Sequence, residues 1–150
     1  MKDDKTSKFV KGVLKKLHIN TSPKTTNLLI QIFKFVIVGG IATLIDWIVY
    51  YILYNFLKVN PLIANILSFS VSVIYNYSAS VRWVFDVNKN KNKKKMFAEF
   101  MIFSVIGLII TELLLYLFIN ILSLHAMLSK VISTLIVMVF NFVTRKMFLE

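Results

Sequence analysis

The chain has no cysteine, and this absence excludes disulfide bonds and thiol chemistry. It also lacks a phosphate-binding glycine loop, a nucleophile–base set and a cluster of metal ligands. Its two histidines, His18 and His125, are isolated in the sequence and have no accompanying ligand set. We therefore predict a protein that is not an enzyme, with no catalytic residue, no metal site and no cofactor.

Acidic residues are scarce: there are 7 of them against 18 lysines and arginines. Such a basic excess can indicate nucleic-acid binding, but its placement argues against that class. Sixteen of the 18 basic residues lie before the first long apolar stretch, in one central loop or after the last stretch. By the positive-inside rule, both termini and the central loop are predicted to be cytoplasmic, in a bacterial cytoplasmic membrane protein with several spans.

Four long stretches are almost free of charge: 35–57, 61–81, 100–122 and 126–143. About 20 apolar residues suffice to cross a bilayer as a helix. Helices are expected rather than strands because the backbone must satisfy its own hydrogen bonds in lipid. The predicted fold is an all-α integral membrane protein of four transmembrane helices, with a basic N-terminal segment over 1–31 and the membrane domain over 32–150.

The last two spans repeat the first two. Very short outer loops, Lys58–Asn60 and Ser123–His125, force the helices of each hairpin to run antiparallel. An offset of 65 aligns Asn76 with Asn141, and an offset of 66 aligns Asp46 with Glu112. Since each copy has two spans, the sequence predicts two parallel repeats, and transport sites often lie where such repeats meet.

The basic N-terminal segment predicts a helix from about Lys8 to Ile19, capped by Ser7. Its apolar and lysine side chains would occupy opposite sides, which is typical of helices that lie on an anionic leaflet. A disordered, solvated tail is the alternative.

Three charged residues interrupt the apolar stretches at similar predicted depths: Asp46, Glu112 and Lys130. A carboxylate near the bilayer centre costs roughly 2.5–3.5 kcal/mol by insertion scales, so it often marks a transport path. One or both of the acids could instead pair with Lys130 in a purely structural role. Two acids for one base leave one carboxylate over, which could bind a proton, a cation or sugar hydroxyls.

The spans also carry asparagines: Asn65, Asn76 and Asn141. Their amides could form hydrogen bonds between helices or contact a substrate. Small residues such as Gly39, Gly40 and Gly107 are predicted to permit close helix contact.

Two arginines, Arg82 and Arg145, follow spans two and four among aromatic residues. They could be ordinary interfacial anchors. They could also grip a lipid phosphate, because a guanidinium matches phosphate oxygens in a bidentate fork.

Three motifs together resemble the GtrA-like family of four-span bacterial membrane proteins: VGGIATLIDW in span one, Ala64-Asn65 in span two and NYSASVRWVF at the end of the first hairpin. The resemblance covers about 32–148. It implies the flipping of polyprenyl-phosphate-linked sugars to the outer leaflet, where they decorate a wall polymer such as teichoic acid. It also implies roles for Asp46, Asn65, Asn76 and Arg82, which fall on the motif positions.

The partners expected on this basis are a polyprenyl-phosphate sugar, membrane lipids, membrane glycosyltransferases and further copies of the chain. Two other functions stay open at this point. One is an accessory protein that recruits or stabilises a glycosyltransferase, and the other is a small cation-coupled drug exporter.

Overall fold

The computed structural model describes residues 4–18, 21–88 and 90–150, and at residues 61, 62, 126, 127 and 130 it describes the backbone alone. The described residues form five helices: α1 (Lys5–Lys16), α2 (Pro23–Tyr51), α3 (Pro61–Ala79), α4 (Lys93–Tyr116) and α5 (Ala126–Leu149). Short π-helical turns over 52–56, 80–84 and 117–121 continue α2, α3 and α4. Since no strand occurs in the part of the chain described, the prediction of an all-helical protein is confirmed.

The N-terminal segment is helical, but its cap differs from the prediction. Asp4 rather than Ser7 caps α1, and its Oδ1 accepts hydrogen bonds from the Ser7 amide at 2.9 Å and the Ser7 hydroxyl at 3.0 Å. An aspartate caps as well as a serine, and its charge is also favourable at a helix N-terminus. The helix therefore runs from Lys5 to Lys16, so it begins and ends three residues before the predicted bounds of Lys8 and Ile19.

Helix α2 begins well before the predicted first span. Ser22 caps it by accepting from the Thr25 amide, and Pro23 occupies the first turn, where its missing N–H costs nothing. The helix is 29 residues long, so the predicted boundary between residues 31 and 32 lies inside it.

The chain divides into two compact units, Met1–Val87 and Asn88–Glu150. In unit 1, α2 and α3 pack as a hairpin, and the Ser72 hydroxyl donates to the Ala42 carbonyl of the facing helix at 2.8 Å. In unit 2, α4 and α5 form the second hairpin. Small residues allow the close approach in each case.

The chain leaves α2 and α4 through the same local structure. Lys58 and Ser123 both adopt left-handed backbone conformations, with φ of 52° and 53°. Val59 then donates a backbone hydrogen bond to Leu53 at 3.0 Å, and the equivalent bond 65 residues later measures 2.8 Å. A left-handed residue just past a helix is a common way to end it.

This common ending determines the register of the two hairpins. Helices α2 and α4 end 65 residues apart, so Asp46 lies at the position of Thr111, and Glu112 at that of Trp47. The offset of 66 that aligned Asp46 with Glu112 is therefore not the one the helices follow. One residue turns a helix by about 100°, so the two acids lie on different sides of their helices.

Three segments of described residues are long and apolar enough to cross a membrane: Pro23–Phe56, Lys93–Ile121 and Val131–Leu149. Helix α3 is not among them when only the described residues are searched, which leave out the side chains of its first two residues. The chain is thus a helical membrane protein, and a fourth span through α3 stays a prediction.

Candidate functional site

Among the charged side chains of unit 2 that the structure describes, that of Arg145 is the most enclosed. Only 5% of this residue is exposed, and its Cζ lies 4.1 Å from the centroid of the Phe100 ring, in cation–π contact. Its Nη2 donates to the Ser104 hydroxyl at 3.3 Å. Arg145 therefore lies between the helices of its hairpin, not at an exposed membrane edge.

Asn141 lies one helical turn before Arg145, on the same face of α5. Its Oδ1 is buried, and among the described residues it has no hydrogen-bond partner. We call Ser104, Asn141 and Arg145 the polar column of unit 2. A buried amide oxygen beside a guanidinium and a hydroxyl offers donors and an acceptor, the combination that a sugar or a phosphate ester requires.

Gly107 makes room for this column. A Cβ added at Gly107 would lie 2.9 Å from Asn141 Oδ1 and 3.4 Å from Val137 Cγ1. The first distance is too short for a real Cβ contact, so the Asn141 amide would have to move. The predicted close contact is therefore confirmed at Gly107. It is wrong for Gly39 and Gly40, since an added Cβ would meet nothing within 4 Å at either position.

Replacing Gly107 by Ala is expected to displace the Asn141 amide and to lower sugar transfer. Overpacking of a filled contact typically costs about 1–3 kcal/mol, against about 1 kcal/mol that alanine gains over glycine in a helix, so the thermal midpoint in detergent should fall below that of Gly39→Ala. Gly39→Ala is the matched control, because it adds the same methyl group to open space in a helix, where alanine is favoured over glycine. Equal behaviour of the two variants in both assays would contradict a close Gly107–Asn141 contact.

The predicted site residues of unit 1 are less enclosed. Asp46 is half-buried, and its Oδ1 is buried without a hydrogen-bond partner in the part of the chain described. Asn76 accepts from the Ser80 hydroxyl at 3.2 Å. Asn65 and Arg82 are exposed on the surface of this unit.

The three charged residues predicted near the middle of the spans divide between the units: Asp46 belongs to unit 1, and Glu112 and Lys130 belong to unit 2. Glu112 is exposed on α4, and the side chain of Lys130 lies outside the described residues. The Glu112–Lys130 pair therefore stays a prediction.

The family described as "GtrA/DPMS, transmembrane domain" matches residues 34–149. The chain belongs to this family. The match begins at Lys34, inside α2, so it includes most of both hairpins and leaves out α1.

Relatives are consistent with this assignment. The chain is 29% identical to a cell wall teichoic acid glycosylation protein GtcA of Listeria monocytogenes, over 85% of this chain and 90% of the relative. It is 26% identical to the proteins of the same name in Listeria monocytogenes serovar 1/2a and Listeria innocua, over 83% of this chain and 87% of each relative. No solved structure is significantly similar to the chain.

One cluster at the GtrA/DPMS domain boundary was missed by sequence reasoning. Lys34 is 1% exposed, and its Nζ lies 2.7 Å from Asp4 Oδ2. The same oxygen accepts from Trp83 Nε1 at 2.6 Å, and the Lys34 ammonium lies 5.4 Å from the Trp83 ring centroid. We call Asp4, Lys34 and Trp83 the N-terminal cluster. It attaches α1 to the hairpin of unit 1, assisted by the contact of Phe9 with Phe33 at 6.0 Å.

The Asp4 carboxyl stays ionised in this cluster. Desolvation acts to raise its pKa, but the hydrogen bonds from Lys34, the Ser7 amide and Trp83 together outweigh desolvation and hold the pKa well below its usual value. A depressed carboxyl pKa stabilises the folded state above the unfolded pKa and loses that contribution as pH falls. The attachment of α1 is therefore at full strength at neutral pH.

Proposed function

We propose that this GtrA/DPMS protein moves a polyprenyl-phosphate-linked sugar from the cytoplasmic to the outer leaflet of a bacterial membrane. The sugar then serves the glycosylation of a wall polymer such as teichoic acid. The observation that carries the proposal is the similarity to teichoic acid glycosylation proteins over 90% of the length of one of them. Translocation forms no covalent bond, so the chain acts without a catalytic residue.

The cargo has three chemically distinct parts: an anionic phosphate linkage, a hydroxyl-rich head and a long apolar tail. The polar column of unit 2 suits the first two, because Arg145 supplies charge and Ser104 and Asn141 supply polar partners between apolar helices. Arg82, exposed at the end of the first hairpin, suits first contact with the phosphate at the membrane surface. The tail would stay in lipid throughout, and neighbouring copies of the chain would complete the path.

Locating the sugar lipid in cells that lack the gene tests this proposal. If the chain is a translocator, the lipid should accumulate in the inner leaflet, while its synthesis continues. An accessory protein for a glycosyltransferase would instead leave the lipid normally distributed, with transfer reduced outside. A cation-coupled exporter would change neither the leaflet distribution nor the polymer.

The orientation is predicted from the placement of basic residues and can be checked with single cysteines, since the chain has none of its own. Cysteines at Asn60 and His125 should react with an impermeant thiol reagent outside intact cells. Cysteines at Lys91 and Glu150 should react only after permeabilisation. Labelling at Lys91 in intact cells would reverse the topology.

A further inference from the structure

The N-terminal cluster has the composition of an anion site that already holds an anion. Two donors from the hairpin, the Lys34 ammonium and the Trp83 indole N–H, converge on a single oxygen of Asp4 at 2.7 and 2.6 Å. Convergent charged and neutral N–H donors bind phosphate oxygens as well as carboxylate oxygens. We propose that Lys34 and Trp83 form a binding site for a lipid phosphate ester, and that Asp4 occupies this site as an internal competitor.

The origin of the acid supports this assignment. Lys34 and Trp83 belong to the region matched by the GtrA/DPMS family, whereas Asp4 precedes it. Asp46 lies 12 residues further along α2 than Lys34, about 18 Å away by helical rise, and cannot take its place. A buried ammonium is costly without an anionic partner. The anionic partner that Lys34 has in this structure therefore comes from outside the matched region.

The location of the cluster suits a lipid phosphate. Lys34 lies in the first part of α2, where the positive-inside rule places the cytoplasmic headgroups, and tryptophan favours the same depth. Both hairpin residues and Asp4 lie in unit 1.

Helix α1 has a second surface to occupy once Asp4 is displaced. Phe9 and Leu17 remain 60% and 61% exposed although α1 is attached to the hairpin, and its lysines are exposed as well. An amphipathic helix with these features binds an anionic leaflet. Phosphate binding and release of α1 onto the leaflet are therefore a single exchange, in which Asp4 leaves as the ligand enters.

Competition of this kind has a predictable size. If Asp4 occupies the site nine-tenths of the time, the apparent affinity for an added phosphate falls about tenfold. Removing the competitor should restore that factor, whereas a purely structural ion pair would give no gain.

The first experiment measures binding of a short-chain polyprenyl phosphate to the purified full chain in phosphatidylcholine nanodiscs. Asp4→Asn should bind about tenfold more tightly than Glu150→Gln, which raises the net charge equally but removes the acid from the Lys146 pair in unit 2. Lys34→Gln should weaken binding at least tenfold, and Trp83→Phe, which loses only the N–H donor, several-fold. Equal affinities of Asp4→Asn and Glu150→Gln would overturn the proposal. If Lys34→Gln does not fold, Trp83→Phe takes its place in the test, and unchanged binding by that variant would also overturn the proposal.

The second experiment identifies the source of the phosphate. A spin label on Lys15→Cys, which is exposed on α1, should gain mobility or insert into lipid when polyprenyl phosphate is added. The same response to phosphatidylglycerol at equal mole fraction would identify bulk headgroups as the ligand, whereas a response to neither lipid would overturn the exchange.

The site rests on the proposed function only for the identity of its lipid. If the chain binds phosphate and releases α1, but its loss leaves the leaflet distribution of the sugar lipid normal, the site is supported and the translocation function is rejected. If translocation is normal and Asp4→Asn has no effect on binding, the function is supported and the site is rejected.

Discussion

Replacing Arg145 by Gln is expected to lower the affinity for polyprenyl-phosphate sugar by about 10- to 100-fold, since a hydrogen bond to a charged group contributes about 1.5–3 kcal/mol. The charge is held between the helices of unit 2, over Phe100 and beside Ser104, where solvent screens it little. Lysine at this position should recover part of the affinity, because it keeps the charge and loses the planar fork.

Two further variants separate the binding role of Arg145 from its packing role and from a general effect of charge. Arg145→Met keeps much of the apolar contact with Phe100, so a stable protein that fails to bind would separate binding from packing. Arg82→Gln removes an equal but exposed charge, which solvent screens, and should have a smaller effect. Binding of a short-chain analogue to purified variants, with expression measured in membranes, decides the matter. Normal affinity of a well-inserted Arg145→Gln protein would reduce the residue to a packing role.

The sequence was sufficient to predict the helices and poorer at predicting their ends. Long apolar runs leave the backbone no partner but itself, so helices follow directly from run length. The start of α2 is different, because it depends on the Ser22–Pro23 cap rather than on hydropathy. That signal was visible in the sequence, yet hydropathy alone placed the span twelve residues later.

The repeat shows how a correct pattern can still give a wrong register. The offset of 65 is the spacing between the left-handed residues Lys58 and Ser123, which begin the two outer loops. Chemical likeness favoured pairing Asp46 with Glu112 at 66, but a continuous helix cannot gain one residue without turning every later side chain by about 100°. Backbone geometry outweighs similarity of side chains here.

The N-terminal cluster could not be derived from local pattern. Asp4 and Lys34 lie 30 residues apart, and their pairing depends on how α1 folds back on α2. One signal was available: Lys34 lies between Phe33 and Phe35, an apolar setting in which a lysine is expected to have a partner. The charge pattern alone places Lys34 among many cytoplasmic lysines and does not indicate a partner for it.

The position of Arg145 near the end of α5 was anticipated from the sequence, but its burial was not. Basic residues among aromatics at the end of a span are usually interfacial anchors. Its burial follows from what faces it, namely the small side chain of Ser104 and the ring of Phe100, and facing residues are known only once α4 and α5 are packed.

Replacing Asp46 by Asn is expected to abolish sugar transfer while the protein still inserts and folds. The change keeps the shape of the side chain and removes a charge whose Oδ1 is buried and, among the described residues, has no hydrogen-bond partner. Neutralising a carboxylate in an apolar span removes a cost of roughly 2.5–3.5 kcal/mol, so the variant should be at least as stable as the wild type. Function and stability should therefore change in opposite directions, which a structural ion pair would not produce.

Glu112→Gln is the matched control, since it makes the same chemical change to the acid of the other hairpin. Glu112 is exposed and lies at the register position of Trp47, on a different side of its helix from the Asp46 position. Its loss should lower transfer much less than the loss of Asp46. Membrane levels, thermal midpoints and wall-polymer glycosylation should be measured for both variants together. A destabilised Asp46→Asn protein would favour a structural pair, and normal glycosylation with full insertion would remove Asp46 from the path.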